Sequence, residues 1–154
     1  MGMLQGALAE RDAWSAVGRC PIEKAMTLVG TKSAMLIMRE AYYGTTRFDD
    51  FWRRVGITKA AASARLSDLV DAGLLRRQPY REPGQRSRDE YVPTQSGLDF
   101  MPVVWALFEW GRRHLPDDSP LRLTHDGCGA EATAQMRCEK GHHVPGAELV
   151  VRQR

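Results

Sequence analysis

The fold is decided by residues 47–73, which read RFDDFWRRVGITKAAASARLSDLVDAG. In the first part, apolar residues recur at the spacing of one face of a short helix: Phe48, Phe51, Trp52 and Val55. Gly56 then marks a tight turn, and Thr58 can cap a second helix that ends at Gly73. The second helix has its own apolar stripe, formed by Ala62, Leu66, Leu69 and Val70. Two short helices joined by a tight turn predict a helix-turn-helix.

The face of the second helix opposite this stripe is nearly bare. With Leu66 as the reference, a step of about 100° per residue places Ala60, Ala61 and Ala64 on the far side. Alanine contacts a thymine methyl but cannot hydrogen-bond a base, and a bare helix N-terminus lets backbone amides approach phosphate. We therefore expect the contacts with a DNA groove or its rim to come from Thr58, Lys59, Ala60, Ala61, Ser63, Ala64 and Arg65.

Residues 77–91, RQPYREPGQRSRDEY, predict a basic hairpin. Pro83 and Gly84 are turn residues between two strand candidates, residues 74–82 and 88–93. Guanidinium groups crowded on one loop repel each other, and that repulsion is relieved when the loop binds DNA and counterions leave. We expect this wing to contact phosphates or a minor groove through Arg81, Arg86 and Arg88.

Positive charge is concentrated in this central part of the chain. Residues 47–88 hold ten Arg or Lys against five Asp or Glu, a net of +5, whereas the whole 154-residue chain carries +3. A merely solvated basic face is the alternative explanation. The order of short helix, turn, capped helix and basic hairpin favours double-stranded DNA as the partner.

Further helices are predicted on both sides of this unit. One begins at Pro21, with Glu23 at the acidic position of a capping box, and residues 33–44 have so little polar face that they predict a core helix. A long helix capped by Thr94 is apolar around most of its circumference. Residues 1–18 are also expected to form a helix. The predicted fold class is mainly α with a small β-hairpin (α+β), a winged helix-turn-helix.

The predicted domain organisation has three parts. Residues 1–19 form an N-terminal dimerisation helix, and residues 20–115 form the DNA-binding and dimerisation domain. Residues 116–154 form a small tail, a hairpin or a degenerate zinc-ribbon-like appendage. A homodimer is expected because a monomer would expose Trp105 or Trp110; one large intramolecular core is the alternative. A two-fold dimer predicts a pseudo-palindromic operator with half-sites about 34–36 Å apart.

Three segments resemble the HxlR-type transcriptional regulators, relatives of the MarR group. They are CPIEKAMTLVGTKSAMLIMREAYYG, RFDDFWRRVGITKAAASARLSDLVDAGLL and YVPTQSG, and the likeness covers residues 20–115. The resemblance implies a homodimeric winged-helix DNA-binding protein, dimerised through its terminal helices, and it favours a repressor. The chain departs from the family at Lys32 and Ser33, where Lys-Trp is usual, and at Ala60, where a basic or polar residue is usual.

Cys20 stands at a predicted helix N-cap, just before Pro21. There the positive end of the helix favours a thiolate, which Arg19 and Lys24 support and Glu23 opposes. Some members of the resembling family sense electrophiles or oxidants through a cysteine at this position, which implies a candidate sensor. The alternative is a small apolar residue at a helix start.

The tail contains a pattern with zinc-like spacing: His125, Cys128, Cys138 and His142. A second Cys-x2-Cys pair is missing, because Gly141 stands where a ribbon's partner cysteine would fall. We favour unliganded thiols and no cofactor, and a structural zinc is the alternative.

Other function classes are disfavoured. No apolar run reaches the roughly 18 residues of a membrane helix, and the three cysteines without an export signal indicate reduced thiols in the cytoplasm. No paired carboxylates, Ser-His-Asp set or phosphate loop is visible, so we do not expect an enzyme. Two alternatives to an oxidant-controlled regulator remain: a winged-helix protein-interaction module, and a regulator switched by a small aromatic ligand in the dimer groove.

Overall fold

The computed structural model describes residues 3–81, 84, 87–116 and 119–152. Within these residues the helices are α1 (Pro21–Val29), α2 (Lys32–Tyr42), α3 (Phe48–Val55), α4 (Lys59–Asp71) and α5 (Gln95–His114). The strands are β1 (Leu75–Tyr80) and β2 (Arg88–Pro93), which pair antiparallel. The predicted mainly α fold with one small hairpin is confirmed.

The turn between α3 and α4 is held by backbone geometry. Gly56 has φ of +74° and ψ of +37°, a left-handed conformation that glycine adopts without the steric cost of a side chain. The N–H groups of Gly56 and Ile57 both donate to the Trp52 carbonyl at 3.1 Å. Thr58 then caps α4, because its Oγ1 accepts the Ala61 N–H at 3.1 Å. The second helix therefore begins immediately after the turn, as the sequence predicts.

A single core lies between α2, α3 and α4. Its largest fully buried apolar side chains come from each of these helices and from β1: Ile37, Met38, Phe51, Leu66, Leu69 and Leu75. Val104 of α5 joins the same cluster. Because Leu66 and Leu69 belong to this core, the opposite side of α4 is left facing solvent.

The hairpin is fastened beside α3. Its register runs from Leu75 opposite Pro93 to Tyr80 opposite Arg88. On the other edge of β2, the Tyr91 N–H donates to the Thr46 carbonyl at 2.8 Å, and Arg47 forms a bridge with Glu90. The edge of the Phe51 ring meets the Tyr91 ring, with centroids 6.2 Å apart. These contacts attach the segment before α3 to the wing.

The helix predicted over residues 1–18 is absent from described residues 3–18, so that prediction is wrong. The segment forms two short 3-10 turns, Gly6–Ala9 and Arg11–Ala13. Gly6 has φ of +64° and Gly18 has φ of +72°, and left-handed residues interrupt an α-helix. Leu4 instead forms a parallel bridge with Val151, which joins the two ends of the described chain.

The tail consists of short turns that rest on the last part of α5. Bridges join Thr124 to Glu131 and Arg137 to His143. The Ala134 N–H donates to Glu109 Oε2 at 2.6 Å, and Arg112 pairs with Glu131 at 2.9 Å. These contacts fasten residues 131–134 to α5 through Glu109 and Arg112.

Candidate nucleic-acid interface

The outer face of α4 is exposed and carries short side chains. Ala62, Leu66 and Leu69 are fully buried, which matches the apolar stripe predicted for this helix. On the opposite side, Ala60, Ala61 and Ala64 are exposed, and Ser63, which lies between the two sides, is exposed as well. A helix with so little bulk on one face can approach the floor of a major groove about 12 Å wide.

Lys59, the first residue of α4, contacts α3. Its Nζ lies 3.9 Å from Asp49 Oδ1 and 5.2 Å from the centre of the Trp52 ring. Trp52 Nε1 in turn donates to the same Asp49 oxygen at 3.1 Å. The predicted groove contact Lys59 is thus partnered across the helix-turn-helix turn in the free protein.

Asp49 is held in its ionised form. The hydrogen bond from Trp52 is the largest influence and lowers the pKa of this carboxyl. Burial raises the pKa, and the positive charges of Lys59, Arg53 and Arg88, each a smaller influence, lower it. Arg88 belongs to the wing, so Asp49 lies within the electrostatic reach of both predicted DNA-contacting elements.

A cleft of about 680 Å³ separates the start of α3 from the wing. It is lined by Arg47, Phe48, Asp49, Asp50, Arg53, Tyr80, Arg88, Asp89 and Tyr91. The Arg47 guanidinium lies over the Tyr80 ring, 4.9 Å from its centre. Three arginines and three aspartates balance in formal charge, so the cleft is not a simple anion-binding site.

The predicted wing contacts are placed as follows. Arg81 follows β1 and is exposed, and Arg88 begins β2 and is exposed. Arg86 lies outside the described residues. The structure therefore brings Arg88 close to the start of α3, and the pairing of Tyr80 with Arg88 places Arg81 near the same end of the hairpin.

Arg65 lies differently from the other predicted groove residues. Its Nη1 donates to Asp68 Oδ2 at 2.8 Å within α4, and its side chain is only 28% exposed. Its Nε is buried without a hydrogen-bond partner in the described structure. Arg65 therefore packs along the helix, and a contact with DNA would require it to leave Asp68.

A polar network behind α3 fixes the loop that precedes it. Glu40 is buried and accepts from Arg39 Nη2 at 2.6 Å and from Thr45 Oγ1 at 3.3 Å. Arg54 of α3 donates to Thr45 Oγ1 at 2.7 Å. A buried charge that is fully hydrogen-bonded fixes the groups around it. This network orients the loop between α2 and α3.

Asp49, Trp52 and Glu40 are the site residues that the sequence analysis missed. The spacing of Asp49 and Trp52, three residues apart on a helix, is a signal for a local hydrogen bond. Nothing in the sequence pairs Asp49 with Lys59, because that contact depends on the angle of the turn at Gly56.

Cys20 is the N-cap of α1 and is partly exposed. Its side chain makes no capping hydrogen bond, and its N–H donates to the Ala16 carbonyl at 2.9 Å. The capping box predicted at Glu23 is wrong, because its carboxylate does not accept the N–H of the N-cap residue Cys20. Glu23 Oε2 instead accepts the Gly18 N–H at 2.8 Å. Glu23 thus stabilises the turn before the helix.

The tail residues with zinc-like spacing, the alternative to unliganded thiols, are only partly brought together. His125 Nδ1 lies 3.2 Å from Cys128 Sγ. Cys138 and His142 are linked through their backbones, N–H to carbonyl, at 3.1 Å. Across the described residues, no three His, Cys, Asp or Glu side chains converge to hold a metal ion.

No helix in the described part of the chain is both long and apolar enough to cross a bilayer. The arrangement of a short helix, a left-handed turn, a capped second helix and a basic hairpin beside them defines a winged helix-turn-helix protein. The chain belongs to the HxlR-like helix-turn-helix family, whose model matches residues 28–119. It is a helix-turn-helix transcriptional regulator, and DNA binding is implied by the family.

Three similar proteins cover from 62% to 90% of this chain. The uncharacterised HTH-type transcriptional regulator Rv3095 of Mycobacterium tuberculosis is 36% identical over 133 residues, which are 85% of this chain and 80% of the relative. The crystal structure of PA1607, a candidate transcription factor, has a TM-score of 0.78 and 29% identity, covering 90% of this chain and 98% of that chain. The reduced form of the redox regulator HypR has a TM-score of 0.55 and 26% identity, covering 62% of this chain and 96% of that chain.

Proposed function

We propose that the protein is a cytoplasmic, homodimeric transcriptional repressor that binds a pseudo-palindromic site on double-stranded DNA. The observation that carries the proposal is the exposed, short-side-chain face at the start of α4, flanked by Lys59 and by the arginines of the wing. Repression is favoured by the resemblance of the chain to HxlR-type regulators.

The DNA contacts divide between groove and backbone. Thr58, Lys59 and Ser63 contact base edges or nearby phosphates, and Arg65 joins them after leaving Asp68. The alanines at positions 60, 61 and 64 bring the helix close to the bases and favour thymine methyl groups. The wing arginines, Arg81, Arg86 and Arg88, contact the sugar-phosphate edge and provide sequence-independent affinity.

A second copy of the chain covers the outer face of α5. Val103, Leu107 and Trp110 recur at helical spacing on this face, and Trp110 is 55% exposed in the single chain. On α1, Ile22 and Met26 are four residues apart, and Ile22 is 73% exposed. Apolar stripes of this kind on both terminal helices support a dimer interface.

Control by thiol modification is supported by the position of Cys20. This partly exposed thiol begins α1, whose exposed apolar residues belong to the proposed dimer interface. A bulky or charged adduct at Cys20 would tilt α1 and change the spacing of the two recognition helices. The likeness to HypR, a redox regulator, favours the same idea.

A small aromatic effector is the second candidate signal. A cavity of about 210 Å³ lies between α2 and α5, lined by Met35, Leu36, Arg39, Val104, Trp105, Leu107 and Phe108. Its walls are almost wholly apolar, and its volume suits a single aromatic ring better than a larger ligand.

Fluorescence anisotropy tests the DNA-binding proposal. The protein is titrated onto its own upstream DNA and onto a random duplex of about 30 base pairs, long enough for two half-sites. Between about 50 and 200 mM salt, wild-type affinity should fall steeply, and Lys59→Gln or Arg88→Gln should each reduce the salt slope by about one. Lys140→Gln, an exposed change in the tail, is the matched control and should leave the slope unchanged. Salt-independent or absent binding to every duplex would favour the protein-interaction module instead.

A further inference from the structure

We infer that Asp49 is an internal competitor for DNA phosphate, which holds Lys59 and attracts Arg88 in the free protein and lowers sequence-independent DNA affinity. This inference rests on the proposed DNA-binding function. It assigns a role in limiting DNA affinity to a residue of α3 that is not among the proposed DNA contacts.

The first argument is the geometry around the carboxylate. Asp49 Oδ1 lies 3.9 Å from Lys59 Nζ and accepts the Trp52 Nε1 hydrogen bond at 3.1 Å. The Trp52 ring also lies beneath the ammonium, 5.2 Å away. Trp52 therefore holds the carboxylate at a fixed place and offers the lysine a second attractive surface.

The second argument is exposure. The side chains of Lys59 and Asp49 are 65% and 57% exposed, so both lie at the surface that would face a duplex. An exposed ion pair is worth little in water, so Lys59 can exchange its partner without unfolding anything. A phosphate that takes Lys59 leaves Asp49 with one fewer positive partner, as a negative charge close to the DNA.

The third argument is that Asp49 differs from the neighbouring acids. Asp50 pairs with Arg53 at 2.5 Å and Asp68 pairs with Arg65 at 2.8 Å, each within a single helix. The Asp49–Lys59 pair crosses from α3 to α4, and the Arg88 charge acts on Asp49 from the wing. Only this acid, among those with described ion pairs, links both predicted DNA-contacting elements.

The physical consequence is a cost that every duplex must meet. Lys59 and Arg88 give up part of their attraction to Asp49 before they neutralise phosphates, and the remaining carboxylate repels the backbone. Because this cost is the same for a duplex with the correct bases and for a random one, it lowers both affinities by the same factor, and the weaker random binding is the first to become negligible. Asp49 thus keeps the protein from being retained on unrelated DNA.

Asp49→Asn is the test, because an amide oxygen can still accept the Trp52 hydrogen bond while the charge is lost. On a random duplex at about 50 mM salt, we expect binding about three- to fivefold tighter than wild type. Asp89→Asn is the matched control, since Asp89 lines the same cleft and loses the same charge. It should tighten binding less than about twofold.

A double-mutant comparison separates the ion pair from net charge. Lys59→Gln should weaken DNA binding more in the Asp49→Asn background than in the wild type. In the wild type, Asp49 already neutralises part of the Lys59 charge, so less attraction to DNA is lost with it. Equal effects of Asp49→Asn and Asp89→Asn, or weaker binding by Asp49→Asn, would overturn the inference while leaving the proposed function intact. A wild type that binds no duplex overturns the proposed function itself. Should Asp49→Asn unfold, Asp49→Ser carries the same test with a short neutral residue suited to a first helical turn.

Discussion

The phenol of Tyr42 donates a hydrogen bond of 2.6 Å to the carbonyl of Gly97, a residue 55 positions further along the chain. This bond joins the last residue of α2 to the first turn of α5. Burial raises the pKa of Tyr42 to about 12, because the surrounding protein disfavours the charged phenolate. The helix that carries the proposed dimer stripe is thereby fixed to the core beneath the helix-turn-helix.

Tyr42→Phe should lower the free energy of unfolding by about 1 kcal/mol, the usual net value of one hydrogen bond. The folded-state pKa lies above the ordinary value of 10, so this stabilisation is complete below pH 10 and is lost as pH rises through about 12. Urea unfolding of both proteins at about pH 8 and about pH 11 measures the difference. The difference in free energy of unfolding between wild type and Tyr42→Phe should be smaller at the higher pH. Tyr43→Phe, at the exposed neighbouring tyrosine, is the control, and a difference independent of pH would contradict the assignment.

Gly97→Ala should be much more damaging. A Cβ at this position would lie 2.1 Å from the Leu74 carbonyl oxygen, so the backbone of α5 or of the residue before β1 must move. We expect a loss of about 2–3 kcal/mol in thermal unfolding. Gly111→Ala, later in the same helix, meets only Leu115 Cδ1 at 3.9 Å and should stabilise the protein by about 0.5–1 kcal/mol. Similar effects of the two substitutions would show that the close approach of Gly97 to Leu74 is unimportant.

Much of the fold could be predicted from the sequence because its signals are local. Thr58 and Thr94 cap helices as expected, and the left-handed Gly56 ends α3 where the apolar spacing stops. The failure at residues 1–18 has a physical reason. The spacing of Leu4, Leu8 and Trp14 fits a helix, but backbone conformation at Gly6 and Gly18 and the pairing of Leu4 with Val151 decide otherwise.

The candidate site was less accessible to prediction. The exposed alanines of α4 follow from a rotation of about 100° per residue, which needs no tertiary information. The partners of Lys59 and Arg65 do not follow from it. Lys59 pairs with an acid ten positions earlier through the geometry of a turn, and Arg65 selects Asp68 over solvent because its side chain is half-buried.

Thr58→Ala removes the cap of α4, the proposed recognition helix, and tests whether this cap matters for DNA binding as well as for stability. Loss of the hydrogen bond from the Ala61 N–H should cost about 1 kcal/mol and weaken DNA binding, because the first turn of α4 frays. Thr31→Ala is the control, since Thr31 caps α2 in the same way, through the Ala34 N–H at 3.2 Å. It should cost similar stability and leave DNA affinity nearly unchanged. Equal losses of DNA affinity in the two variants would argue against α4 as the DNA-contacting helix.

Cys20→Ser tests the proposed thiol switch. Diamide or a quinone should weaken binding of the wild type to DNA, because modification at the start of α1 disturbs the dimer. The Cys20→Ser protein should not respond, whereas a variant with Cys128→Ser and Cys138→Ser should respond like the wild type. Anisotropy before and after treatment provides the measurement, and a reducing agent should reverse the effect of diamide, which forms a disulfide, but not that of the quinone, which forms a thioether. An equal response of wild type and Cys20→Ser would remove Cys20 from the mechanism.

Leu107→Glu should abolish the dimer. Leu107 is 52% exposed and lies between Val103 and Trp110 on the outer face of α5, so two copies of the carboxylate would be buried against each other at a two-fold interface. Leu98→Glu is the control, because Leu98 is also exposed on α5 but lies about 180° away from Leu107 around the helix. Light scattering should give the mass of two chains for the wild type and Leu98→Glu and of one chain for Leu107→Glu. Since one recognition helix reads only one half-site, the monomeric variant should also lose the benefit of a second linked contact and bind DNA at least about tenfold more weakly. A wild-type protein that already has the mass of one chain would contradict both the dimer and the two-half-site operator.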